Sequence, residues 1–230
     1  MNVQNGVTPV PTLADDLLLV LFQPGSGTIA GETTLFYPLA GALLSDLALQ
    51  QKVTASSRSG AVMVEPVDGQ PPSDDIFAST WDYISTKPRS VQTVLAAIGP
   101  TLRAPLLARL VARGDLREEK RKRLGLFTTT ALREGGTGRR KQVLDNVRDA
   151  LVDGADPSPR IAALAALLWK SGSLPQLHRE IPWTSAVITR AQELERGQWG
   201  AMAAGEAVAR TLAAIVSNSV IVTTTVAPPN

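Results

Sequence analysis

Three pairs of carboxylates, one histidine and one dense run of cations are the residues of this chain whose types could support chemistry. Asp15-Asp16, Asp74-Asp75 and Glu118-Glu119 are each adjacent in sequence. On a helix, neighbours point about 100° apart, so no pair converges on one substrate as an acid and base would. The first two pairs suit helix starts instead, where a carboxylate meets the positive end of the helix dipole. His178 is the only histidine, so a site needing two imidazoles is excluded, and it has no nearby Ser or Asp arrangement. There is no cysteine, which removes disulfides, thiolate nucleophiles and cysteine-bound zinc. No metal-ligand spacing occurs, and the reading is non-enzymatic, with no cofactor. The glycines of "PGSGTIAGETT" lack the Lys-Ser/Thr pair of a phosphate loop.

The cations are more informative. Twelve Lys and Arg fall between Arg103 and Lys141, with only four acids among them, so this segment carries +8 in a chain whose net charge is +2. Positive charge concentrated in this way predicts an anionic partner on one face. Nucleic acid fits poorly, because single-strand readers interleave aromatics for stacking and Phe127 is the only aromatic in the segment. A membrane surface needs cations for headgroups plus a small apolar element, and Leu126, Phe127 and Leu132 could supply the latter. Packing of those three on the core or on another subunit is the competing reading.

Around these residues the sequence predicts a mainly α chain. Hydrophobic residues make up 44% and aromatics 4%, so the core must be aliphatic, built of Leu, Ala and Val. "TLADDLLLVLFQ" reads as a helix capped by Thr12, with Asp15 at the capping-box position. In "FYPLAGALLSDLALQQKV", Leu39, Leu43, Leu44 and Leu47 recur at helical spacing, while Ser45, Asp46 and Gln50 interrupt the apolar surface; the reading is a half-buried helix whose small Ala40, Gly41 and Ala42 admit a close neighbour. "KVTAS" and "GAVMVEP" form a small hairpin. "SVQTVLAAIG" and "TLRAPLLARLVARG" read as two helices separated at Gly99-Pro100. "REEKRKR" reads as charged surface, "GLFTTTAL" as strand, and "REGGTGRR" as a basic turn. Helices return in "VLDNVRDALVDG", "PRIAALAALLWKSG", "WTSAVITRAQELER" and "AMAAGEAVARTLAAIVSNSV". No apolar run reaches the ~18 uninterrupted residues of a spanning helix. The expected layout is a tail at 1–11, one domain over 12–222 and a flexible tail at 223–230.

The order of "LADDLLLVLF", "LAGALLSDLALQQKV", "LLARLVARGDLREEK" with "LGLFTTTAL", and "PRIAALAALLWKSGSL" resembles the Golgi phosphoprotein 3 (GPP34, Vps74-like) family, whose domain also occurs in bacteria, notably actinobacteria. The resemblance implies a single domain with a central helical bundle and a projecting β-hairpin. It also implies cytoplasmic, peripheral binding to phosphatidylinositol 4-phosphate and adaptor-like capture of membrane-protein clients. Of the family's basic headgroup positions, one aligns with Ala40 and one with Pro100, and the third is kept as Arg103. Phe36 or Tyr37 stands near the family aromatic, and Arg109 follows on the same predicted helix. The expectation is therefore an anionic-lipid contact through Arg103, Tyr37, Phe36 and Arg109. The hairpin from Leu124 to Leu132 would meet the membrane or a second copy. An oligomerising scaffold without lipid recognition is the alternative, with a nucleic-acid binder behind it.

Overall fold

The computed structural model describes residues 10–67, 69, 71–123, 127–198 and 206–219, with the side chains of 121–123, 127–129 and 206 left aside. Residues 1–9 of the tail expected at 1–11, the tail expected at 223–230, and the hairpin residues Leu124 and Leu126 lie outside these.

Two helices form the centre. Helix α1, Leu13–Leu21, is buried along its whole length. The capping box forms as the sequence predicts: Asp15 N–H donates to Thr12 Oγ1 at 3.0 Å, and Thr12 N–H donates to Asp15 Oδ2 at 2.8 Å. Helix α2, Phe36–Leu49, packs on α1. It is buried on every side from Pro38 to Ala48, including Ser45 and Asp46, which corrects the half-buried reading. The Ser45 hydroxyl donates to Gly41 C=O at 2.8 Å, so its polarity is satisfied within the helix. A Cβ added to Gly41 would lie 2.6 Å from Ser219 Cβ, so the small residues do serve close packing.

A capped helix, α3, spans Asp75–Ser85, with the Asp74 carboxylate accepting from Ile76 N–H at 3.0 Å. The two helices expected next are one, α4, Val91–Ala112, with Pro100 and Pro105 inside it. Pro100 is exposed, and so is Ala96, the residue whose carbonyl loses its helical partner to the proline. Gly99 allows contact with the start of α2: a Cβ there would stand 2.6 Å from Phe36 O. Fusion gives α4 the length and apolar composition of a membrane span, with mean hydropathy 1.4. Its Val91, Val94, Leu95, Ile98, Leu102, Leu106 and Leu110 nevertheless form one buried stripe against α1 and α2, the pattern of a core helix.

Helices α5 (Arg139–Leu151), α6 (Pro159–Lys170), α7 (Ser185–Glu195) and α8 (Glu206–Ser217) complete the bundle. Contacts of Gly41 with Leu167 and of Asp46 with Arg160 show that α2 and α6 run antiparallel.

Three small antiparallel sheets sit on the bundle. Strands β1, Phe22–Gln23, and β2, Thr28–Ile29, close a short turn. The expected hairpin is present as β3, Val53–Arg58, and β4, Ala61–Pro66, extended by β5, Arg89–Ser90. The last sheet corrects the sequence reading. "REEKRKR" is strand β6, Leu116–Arg123, and it pairs with β7, Phe127–Glu134, from Leu116↔Glu134 to Arg123↔Phe127. "GLFTTTAL" therefore supplies the second strand of the hairpin rather than its beginning. "REGGTGRR" divides between the end of β7 and the start of α5.

Candidate functional site

Three of the four predicted headgroup residues meet at one end of the bundle. Phe36 and Tyr37, both half-buried, hold their rings 4.2 Å apart at the start of α2. Phe36 O covers Gly99, and Arg103 lies one helical turn beyond Gly99 on α4. The Arg103 guanidinium is paired with Glu32, and the two side chains are 44% and 46% exposed. A cavity of about 300 Å³ opens beside them, walled by Gly27, Ile29, Glu32, Arg103, Glu118 and Leu132. One cation thus shares this cavity with two carboxylates. An anion entering it must displace Glu32 from Arg103, an exchange that surface pairs allow because they contribute only about 0–1 kcal/mol.

Arg109 belongs elsewhere. Its guanidinium donates to Asp74 Oδ1 at 2.7 Å, tying α4 to the start of α3. Arg113, 8% exposed, reaches Asp15 at 3.2 Å and Asp115 at 3.0 Å. Burial alone would depress its pKa, yet the bonds and charges of those two aspartates outweigh burial and raise it. Arg139 pairs with Asp16. The expected gathering of this segment's positive charge on one face is therefore corrected for Arg103, Arg109, Arg113 and Arg139. All four face carboxylates, and three of them link elements of the fold.

The hairpin is different. Arg117 and Lys120 are exposed, and among the described residues neither has a hydrogen-bond or ion-pair partner. Arg133 on β7 answers Glu119 across the strands at 2.8 Å. Of the three predicted apolar contact residues, Leu132 is half-buried against the core, and its backbone crosses Gly27, so it anchors the hairpin to the body. Leu126 lies outside the described residues, as does the Phe127 side chain.

Sequence reasoning missed a second charged centre. The Asp46 carboxylate accepts the Leu13 N–H at the start of α1 and Arg160 Nη1 from α6 at 3.1 Å. Arg160 also donates to Asp16 Oδ2 at 2.6 Å and to Pro11 O at 3.0 Å. Burial pushes the Asp46 pKa up to about 7, against the pull of Arg160 and of the Leu13 and Ala14 N–H groups and with a further push from Asp16. A cavity of about 710 Å³ opens over this centre, bounded by Leu49, Phe77, Pro159 and the capping residues Thr12, Asp74 and Ser158. The signal available in sequence was an aspartate inside an otherwise apolar helix. His178 is exposed, with its ring Nδ1 3.3 Å from Pro175 O.

A family model described as Golgi phosphoprotein 3 (GPP34) matches residues 13–211, which include both charged centres and the hairpin. No curated protein matches the chain significantly.

Proposed function

Because this chain belongs to the Golgi phosphoprotein 3 (GPP34) family, we propose that it is a non-enzymatic peripheral membrane adaptor that meets anionic lipid headgroups. The observation that carries this reading is the charge of β6: five cations against Glu118 and Glu119 in eight residues, with Arg117 and Lys120 exposed and unpaired among the described residues. Each cation near an anionic bilayer contributes about 1 kcal/mol, enough in combination to hold a protein there reversibly. Arg103 is the residue through which a phosphoinositide such as phosphatidylinositol 4-phosphate would be preferred, once its pair with Glu32 opens. Ala40 and Pro100 supply no further charge to that contact, so general anionic attraction dominates. Capture of membrane-protein clients at the cytoplasmic face follows from the family's adaptor role.

The test is co-sedimentation with phosphatidylcholine vesicles, with and without 30% phosphatidylserine or 5% phosphatidylinositol 4-phosphate. Recovery should rise with anionic lipid and fall at least tenfold in the double variant Arg117→Glu/Lys120→Glu. Equal recovery on neutral and anionic vesicles at low salt overturns the reading. One observation also favours a homo-oligomer: β6 and β7 form a two-stranded sheet whose outer edges are unpaired among the described residues. Such edges are ready to accept a strand from a second copy. Light scattering of the wild type against a hairpin deletion separates that arrangement from a monomer.

A further inference from the structure

We infer that Asp46, Arg160, Asp16 and Arg139 form a proton-driven latch, in which a proton taken up by Asp46 frees the Arg139 guanidinium at the foot of the hairpin. The consequence for lipid contact rests on the membrane reading above; the latch itself does not.

The four side chains make one chain of direct contacts. Arg160 is a fork between two carboxylates: Nη1 donates to Asp46 Oδ1 at 3.1 Å, while Nε and Nη2 donate to Asp16 Oδ2 at 3.1 and 2.6 Å. Asp16 turns its other oxygen, Oδ1, to Arg139 Nη2. Both aspartates are buried, so water screens these charges little. Arg139 leads on to the hairpin. Its backbone N–H donates to Thr137 Oγ1 at 3.3 Å, and that hydroxyl donates to Asp115 Oδ1 at 2.7 Å. Asp115 immediately precedes β6, and its C=O accepts from the N–H of Gly135, just after β7, at 2.8 Å.

Protonation changes the balance within this set. With Asp46 ionised, two guanidinium groups meet two carboxylates. With Asp46 neutral, both guanidinium groups must share Asp16. The contest is unequal. Arg160 holds Asp16 through two nitrogens and is also fixed to Pro11 O at 3.0 Å. Arg139 holds it through one, and its buried Nε has no hydrogen-bond partner among the described residues. Two charge-assisted bonds outweigh one. Arg139 is the group that yields, and its side chain, 25% exposed, has water within reach. Asp15 and Asp115 are already engaged by Arg113.

The surroundings of Asp46 set the switching range. Asp16 from α1 and Arg160 from α6 are the charges that act on it, and Asp74, paired with Arg109 of α4, lies across the cavity. The other elements packed on α2, α8 and β3, bring it no charge among the described residues. Burial favours the neutral carboxyl, which places the exchange near neutral pH.

The experiment first follows the full chain by NMR from pH 5.5 to 8.5 without lipid, reading the Asp46 carboxyl carbon and the Arg139 Nε–H, assigned with Asp46→Asn and Arg139→Gln. The two wild-type signals should move together, and Arg139 in Asp46→Asn should keep its acid-form signal at every pH. An Arg139 signal that ignores the Asp46 titration, or one in Asp46→Asn that matches the wild type at pH 8.5, overturns the latch. The same proteins are then sedimented with phosphatidylcholine vesicles carrying 30% phosphatidylglycerol. One more free cation should strengthen wild-type binding by up to about fivefold from pH 8.5 to 5.5. Asp46→Asn should bind like the acid wild type at both, and Arg139→Gln should lose the difference. Joint titration in the spectra with no wild-type binding leaves the latch standing and removes the membrane reading. Joint titration with equal binding of wild type and Asp46→Asn at pH 8.5 overturns the link from Arg139 to lipid.

Discussion

Replacing Asp46 by Asn should remove a pH dependence of stability that this one carboxylate imposes. Its pKa rises from 3.8 to about 7 on folding, and burial is the largest cause. The folded chain therefore holds the Asp46 proton more tightly than the unfolded chain does. Stability from this group is fully present below pH 3.8 and is lost as the pH rises through 7. About 1.4 kcal/mol accompanies each pH unit between the two values, or about 4 kcal/mol over the full span. Between pH 5 and pH 8.5 the loss is about 3 kcal/mol by the same linkage. Asn keeps the size and the acceptor for Leu13 N–H but cannot titrate. The difference between wild type and Asp46→Asn at each pH cancels the contribution of carboxylates distant from Asp46.

The assay is urea unfolding followed by tryptophan fluorescence at pH 5, 6, 7 and 8.5, with free energies taken from midpoints at a common m-value. Wild type should be favoured over Asp46→Asn by about 3 kcal/mol more at pH 5 than at pH 8.5. In a thermal scan that is a change of roughly 6–12 °C in the Tm difference. Two curves that stay parallel across the range, within about 0.5 kcal/mol, would refute the reasoning. The carboxylate would then be ionised throughout, held by Arg160 strongly enough to overcome its burial.

Two further outcomes follow from single contacts. Glu32→Gln should free Arg103 and strengthen co-sedimentation with phosphatidylinositol 4-phosphate vesicles by a modest two- to fivefold, because the pair it removes is half-exposed; unchanged or weaker binding would place Arg103 away from the lipid. Gly99→Ala should destabilise by about 1–3 kcal/mol in chemical denaturation, despite the roughly 1 kcal/mol gain in helix propensity, since its Cβ would meet the backbone of Phe36; a more stable variant would mean that α2 and α4 can separate without penalty.

The helices were legible because their signals are local. Thr12 with Asp15, Asp74, and the apolar spacing of α6 each act within a few residues, and each appears where the sequence predicts. The errors occur where partners distant in sequence decide the outcome. Gly99-Pro100 looks like a helix end until the start of α2 comes down on Gly99, which makes the glycine a packing surface and the proline an outer-face residue. "REEKRKR" has no strand alternation of its own, and only pairing with "FTTTALRE" makes it a strand. Asp46 reads as solvent-facing because a lone carboxylate in a helix usually is. Its burial depends on Arg160, 114 residues away.

The same dependence on distant partners moves the functional argument from α4 to the hairpin. In sequence the +8 segment is a uniform reservoir of charge, and Arg103, which the family resemblance singles out, stands at its head. In the fold, Arg103, Arg109, Arg113, Arg133, Arg139, Arg140 and Lys141 all have carboxylate neighbours within 4 Å. Most of those acids come from outside the segment, so their pairing cannot be read from its composition. Among the described side chains of the segment, Arg117 and Lys120 of β6 are exposed and have no such neighbour. Attraction to a surface depends on charges that are not already neutralised within a few ångströms, because a close ion pair presents only a dipole to a distant phosphate. Replacing Arg117 and Lys120 should therefore weaken anionic-vesicle binding more than replacing Arg103, Arg109 and Arg139 together, even though the second set carries one more charge. The reverse order would show that the internal pairs open at the membrane.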